Sequence, residues 1–231
     1  MNDEQEEALG IDIINSVAAD NINDISAALM DISLETLWEG GVLDGIPVVG
    51  MASKAIKSIF ILNGQLNLRK VACFMLQLKD IPQAERERFV HQYDEQPKEK
   101  KKLAEQVALL LSKLDDMEKA DILGLLFKHL VAGKVDYDSF RRYAIMLDRT
   151  HLPDLVALTK ASPDGATPEP DLSDTQMTAL YTLGLCSTPY MEIVDPARPT
   201  YRPESAGKTH VLVIYLLDLG KKLQQLLLDK A

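Results

Sequence analysis

Three stretches of this chain carry residue types at spacings that could do chemistry. Gly207-Lys208-Thr209 has the ending of a phosphate-binding loop, in which backbone N–H groups and a lysine cradle phosphate oxygens. The full loop needs a glycine five positions before Gly207, where this chain has Arg202, and the run ARPTYRPESA stands where a strand should be. Nucleotide binding there is not expected. Gly45 to Gly50 repeats the glycine spacing but continues into Met51 and Ala52, which supply neither the lysine nor the hydroxyl. Leu126 to Tyr143, LFKHLVAGKVDYDSFRRY, reads as helix, short loop, helix with Asp136 and Asp138 in the loop. A calcium loop needs about twelve residues with oxygen ligands at alternating positions and a closing glutamate. The loop here is too short, so a tight turn between two helices, with Phe140 packed inward, is expected.

Other reactive residue types stand apart. His91, His129, His151 and His210 form no HExxH or other paired-ligand spacing, and His129 falls on the apolar face of its helix, as a core histidine would. Cys73 and Cys186 are far apart in apolar surroundings and match no metal-ligand spacing, which predicts buried free thiols in a reducing compartment. There is no Gly-x-Ser-x-Gly elbow. The sequence therefore predicts no cofactor, no metal and no catalytic residue. It leans against an enzyme, and a site assembled from scattered carboxylates stays an alternative.

Charge is the more informative signal. Met1 to Ser53 holds eleven acidic residues and no Lys or Arg, while the whole chain has a net charge of −10. An acidic N-terminal arm, including Glu4, Glu6, Glu7 and Asp12, thus precedes a body that is close to neutral. A negative chain is repelled by phosphate backbones, so nucleic acid is a disfavoured partner. No basic leader precedes an apolar segment, and the expected location is cytoplasmic. With 46% hydrophobic and 26% charged residues, the chain has a globular composition.

The elements that would position these residues are mostly helical. Ile11, Ile14 and Val17, then Ile22, Ile25, Leu29 and Ile32, repeat at helical spacing. Residues 37–78 are apolar and broken by Gly40, Gly41, Gly45, Pro47, Gly50 and Gly64. Their uncharged runs are shorter than the roughly 20 residues a membrane-spanning helix requires, and Lys54 and Lys57 divide them. Two readings stay open for this stretch: a buried helical hairpin, or a docking surface. In the second, Lys54, Lys57, Arg69 and Lys70 flank an apolar face that includes Ile59 and Phe60, and the surface meets a protein partner or an anionic membrane.

Helices are predicted from Pro82 to about Tyr93, from Pro97 past Leu114, after a cap at Asp115 or Asp116 up to Gly133, from Ser139 to Leu147, and from Pro153 to Lys160. The KEKKK run at Lys98 to Lys102 reads as a solvated face. Residues 162–170 form a Pro-rich linker. Beyond it, helix at 172–183, short strands at 190–194 and 210–215, and a last amphipathic helix suggest a winged-helix-like module over 171–231. The helix before its hairpin has no Lys or Arg, which points to protein interaction rather than DNA. The fold class expected is mainly α: a multi-helix array over 1–161, the linker, and the small C-terminal α+β module.

The segments GGVLDGIPVVG, EKADILGLLFKHLVAGKVDYDSFRRYAIMLDRTHLPDLVAL, LYTLGL and VIYLLDLGKKL together resemble uncharacterised bacterial helical proteins of the abortive infection alpha family. The likeness lies in the order of elements over roughly residues 110–230. It implies a role in phage defence or growth arrest and brings no catalytic residues. The function expected is a non-enzymatic bacterial docking protein acting through the Gly-rich apolar segment, with the acidic arm as a regulatory cover. A peripheral position at the inner membrane and a homo-oligomer are both left open, and a winged-helix DNA-binding regulator is the alternative.

Overall fold

The computed structural model describes residues 3–20, 22, 65–164, 167–168, 172–187, 190–194 and 209–229. The elements expected over residues 23–64, including a second N-terminal helix and the start of the Gly-rich hairpin, lie outside them, as does Lys208. The described residues are mainly helical and fall into two compact units, Met1–Asp148 and Arg149–Ala231. None of their helices is long and apolar enough to cross a membrane.

Among the described residues, every element of the first unit is a helix. The unit comprises α1 (Asp3–Ser16), α2 (Gln65–Leu76), α3 (Gln83–Asp94), α4 (Pro97–Lys113), α5 (Met117–Val131) and α6 (Tyr137–Arg149). Punctuation in the sequence sets the boundaries. Pro82 is the N-cap of α3, Pro97 occupies the first turn of α4, and the Asp116 carboxylate accepts the Glu118 N–H at 2.9 Å to cap α5. Gly133 ends the turn after α5 at φ +69°, and Asp136 accepts the Ser139 N–H at 2.7 Å to open α6. The residue once weighed as a calcium ligand is thus a helix cap.

Two close helix crossings build the core. α1 lies against α4, and α2 against α5. Gly10 makes the first crossing tight, since a Cβ there would overlap the Ala104 carbonyl. At the second, a Cβ on Gly124 would come within 2.5 Å of the Phe74 carbonyl oxygen. Ile13 and Ile14 of α1 are buried, as is Val17 just after it, so the acidic N-terminus is here a helix packed into the core. A row of rings continues the core: Phe74 to Phe127 at 5.1 Å, Phe89 to Phe127 at 5.5 Å and Phe127 to Phe140 at 5.7 Å between centroids.

The second unit holds α7 (Leu152–Lys160), β1 (Thr167–Pro168), α8 (Asp174–Thr182), β2 (Tyr190–Val194), β3 (Thr209–Ile214) and α9 (Asp218–Leu228). The strands form an antiparallel sheet of order β1-β3-β2, with Met191 opposite Leu212 and Thr167 opposite Ile214. Ser173 and Gln176 close a capping box on α8. Gly220 lets α9 approach the Leu185 carbonyl, and Gln224 donates to the carbonyls of Leu158 at 2.8 Å and Ala161 at 2.7 Å, tying α9 to the end of α7.

Two expectations change here. The unit begins at Arg149 rather than at 171, because α7 packs on α8 and α9, and Thr167–Pro168 of the expected linker is an edge strand on β3. The winged-helix reading is not supported. A helix-turn-helix joins its helices by three or four residues, whereas β1 intervenes between Lys160 at the end of α7 and Asp174 at the start of α8.

Candidate docking site

Of the six residues singled out in the sequence as a docking face, two, Arg69 and Lys70, fall among the described residues. Lys54, Lys57, Ile59 and Phe60 lie outside the described residues. Arg69 is exposed on α2, but its neighbour Lys70 is only 3% exposed, so it cannot flank a docking face. The reason is periodic. Lys70 sits on the same side of α2 as Val71 and Phe74, both buried. The stretch from Lys70 to Leu78 therefore contributes to the core.

Of the acidic arm, Glu4 and Glu6 belong to α1, and Ser16 Oγ donates to the Asp12 carbonyl at 2.8 Å. Glu7 pairs with Lys101 Nζ at 2.6 Å. Lys100 Nζ donates to Asn15 Oδ1 at 2.5 Å and pairs with Asp94. The KEKKK run is therefore not only a solvated face: it meets α1 through Glu7 and Asn15.

Two buried lysines share the charge of Asp115, near the turn between α4 and α5. Lys119, 4% exposed, reaches Asp115 at 2.9 Å, and the Asp115 charge also acts on Lys70. Burial pushes the Lys70 amine below its usual range, and Asp115 partly opposes this. Asp115 itself is largely solvated, with a side chain 79% exposed.

Arg86 forms the other buried polar junction. On α3, it is 4% exposed and donates from Nε to the Ile81 carbonyl at 3.2 Å and from Nη1 to the carbonyls of Val17 at 2.7 Å and Ala19 at 2.8 Å. Those last two oxygens follow the end of α1, where carbonyls lack helical partners. Burial lowers the guanidinium pKa, and Glu87 and Asp20 oppose this. Gln83 Nε2 adds a bond to Asp20 at 2.9 Å, and Ile22 is buried beyond it. Arg86 is not among the residues whose type and spacing stand out in the sequence. A signal was present, because within ERER only Arg86 precedes Phe89 and Val90 by three and four residues on the apolar side of the helix.

The remaining surface features are more diffuse. An open groove of about 690 Å³ runs between α4 and α6, with Glu99, Glu105, Lys102 and Arg141 along it and Tyr137 in its wall. Burial, first among several influences, raises the Tyr137 hydroxyl pKa. Among the described residues, the exposed large apolar side chains, Val156, Tyr181, Tyr215, Leu217 and Leu228, belong to the second unit. Cys186 is buried and its thiol is pushed up to about 11, while Cys73 is half-buried and also raised, first by burial and then by Asp121. His129 is buried, and among the described residues no group of His, Cys, Asp and Glu is arranged to hold a metal ion. Comparison with protein-family models, curated proteins and solved structures finds no match.

Proposed function

We propose that this protein works by docking on a protein partner, with the apolar, glycine-punctuated stretch around Lys54 to Phe60 as the contact and the first helical unit as its rigid base. The observation that carries this reading is the anchorage on both sides of that stretch. Before it, Val17, Ala19 and Ile22 are fixed in the unit through Arg86 and burial, and after it, α2 is packed into the core on α5. The apolar composition of the segment between these two anchors, with Val48, Val49, Ile56, Ile59, Phe60 and Ile61, is what suits it to a protein contact.

Charge favours a protein over an anionic membrane. The membrane reading draws on four cations, and Lys70 is enclosed in the unit, which leaves Lys54, Lys57 and Arg69 beside eleven acidic residues. The resemblance to abortive infection alpha proteins would place such docking in phage defence or growth arrest in a bacterial cytoplasm. A DNA-binding regulator has less support, since α8 has no Lys or Arg and no helix-turn-helix precedes it.

The test is a photo-crosslinking residue at Phe60 in cells, alone and with Ile59→Asp, together with flotation of the purified chain on anionic vesicles. A discrete protein adduct lost in the Ile59→Asp variant, with no flotation, is the expected result. Flotation that disappears when Lys54 and Lys57 are both changed to Glu would move the contact to lipid. Absence of both adduct and flotation would make the stretch part of the protein's own core.

A further inference from the structure

We infer that the groove between α4 and α6 is a binding site for a small organic anion, whose carboxylate or phosphate sits between Lys102 and Arg141 beside the Tyr137 hydroxyl. The site is separate from the proposed docking stretch and is built from described residues alone. Its shape comes from the two helices. Along α4 the lining residues Glu99, Lys102, Gln106 and Leu109 recur every three or four positions, so one face of the helix makes a wall about 15 Å long. Tyr137, Asp138 and Arg141 supply the other wall from the start of α6. A volume of about 690 Å³ suits a metabolite-sized molecule and is far more than a bare ion needs.

The two charge signs are used differently along these walls. Two of the acids already have cations: Glu99 pairs with Lys102 at 2.8 Å, and Glu105 faces Lys101 at 3.8 Å. Gln106, Tyr137 and Arg141 have no hydrogen bond or ion pair among the described residues, and each offers N–H or O–H donors to the groove. Tyr137 feels the charges of both Arg141 and Lys102, and Lys102 feels Arg141, so two cations from different helices meet at one phenol. Those cations repel each other, and Glu99 offsets only one. An oxyanion between them relieves the repulsion and can present two oxygens to the planar fork of Arg141. Tyr93 of α3 lies close to Tyr137, and burial keeps both hydroxyls in the protonated, donating form. Beyond this end, Gln106 and the half-buried Leu109 add an amide and an alkyl surface, which fit an organic body. Asp138 is an acid of the same wall with no ion pair among the described residues, so the favoured ligand carries a hydroxyl or amine next to its anionic group.

Titration of the isotope-labelled full chain with malate and with glycerol phosphate tests this by amide chemical shifts, at constant ionic strength, with sodium chloride and spermidine as controls. Saturable shifts along residues 99–109 and 137–141 are expected for at least one of the two anions, and the one that saturates identifies the headgroup. Arg141→Gln should weaken that binding about tenfold, the loss of one charge-assisted contact. Lys113→Gln removes an exposed charge of α4 outside the groove and should leave binding unchanged, which separates a local site from a general effect of charge. The inference is overturned if neither anion saturates, if the shifts match those produced by chloride, or if the two variants weaken binding equally. Saturation by spermidine that is lost in Asp138→Asn would make the groove a cation site and overturn it as well.

Discussion

Replacing Gly10 with alanine separates two descriptions of the N-terminus by the sign of the effect. If α1 were a loose acidic arm, Gly→Ala inside its helix would stabilise it by about 0.5–1 kcal/mol through reduced backbone entropy. In the structure the added methyl overlaps the Ala104 carbonyl, which is fixed inside α4 and cannot swing aside as the tip of a side chain would. Overpacking of this kind costs about 1–3 kcal/mol. The upper limit is set by release of α1, in which Ile13, Ile14 and Val17, each at most 1% exposed, would each forfeit about 1.5–3 kcal/mol of burial. Strain is the cheaper route, so a loss of about 2 kcal/mol is expected. With a urea dependence of about 1–3 kcal/mol per molar, the midpoint for the first unit should fall by about 1 M. Hydrogen exchange of α4 across a urea series reads that unit by itself, which matters in a chain of two units. A midpoint that is unchanged or raised would refute the close crossing of α1 and α4.

Three further substitutions probe the polar interior. Gln224→Leu removes both bonds to the end of α7 and should cost the second unit about 1–3 kcal/mol, seen as lost amide protection in α7 and α9 together; equal protection would mean that water replaces the side chain. Asp115→Asn weakens the counter-charge for two buried lysines and should cost on the order of 1–2 kcal/mol, less than a fully buried pair because Asp115 is largely solvated. Adding Lys119→Met should recover most of that loss in chemical denaturation, and failure to recover would show that Asp115 acts only on backbone. For Cys186, burial pushes the native thiol up to about 11 from its ordinary 9.0, so between those pH values the unfolded chain has lost a proton that the native chain keeps. The stability of the wild type relative to Cys186→Ala should therefore be constant below pH 9 and fall as pH rises from 9 to 11; a flat difference across that range would contradict the burial of the thiol.

What the sequence made legible was local. Pro82, Pro97, Asp116 and Gly133 fix helix ends by their own chemistry, and the helices of the middle of the chain lie close to where these residues put them. Tyr190 to Val194 also reads as a strand from its residue types, and it is one. What failed depended on partners distant along the chain. Thr167–Pro168 has a linker's composition and becomes a strand only because β3 offers an edge, where a proline without an N–H is tolerated. Lys70 looks solvated until the surroundings of α2 are known, and Arg86 is one of two arginines in ERER until its side chain is seen to reach residues 17 and 19. The candidate site was less legible than the fold for the same reason: buried charge is recognised by what encloses it.

The acidic N-terminus shows how far a charge pattern can be taken. A stretch of acidic residues with no bases predicts a basic counterpart, and Lys54, Lys57, Arg69 and Lys70 were the natural choice because they come next in the sequence. On that view α1 is a cover held by Coulomb attraction, and salt should loosen it. The described contacts divide the work differently. Glu7 meets Lys101 and Asn15 meets Lys100, both on α4, while Ile13, Ile14 and Val17 are buried at the same crossing. Exposed pairs such as Glu7 with Lys101 contribute little and are screened by salt, whereas apolar burial is not weakened by it. Protease cleavage within α1 should therefore proceed at the same rate at 50 mM and 500 mM sodium chloride. Acceleration at the higher salt would restore the electrostatic cover, and with it the idea that ionic conditions or a charged competitor can open the first unit.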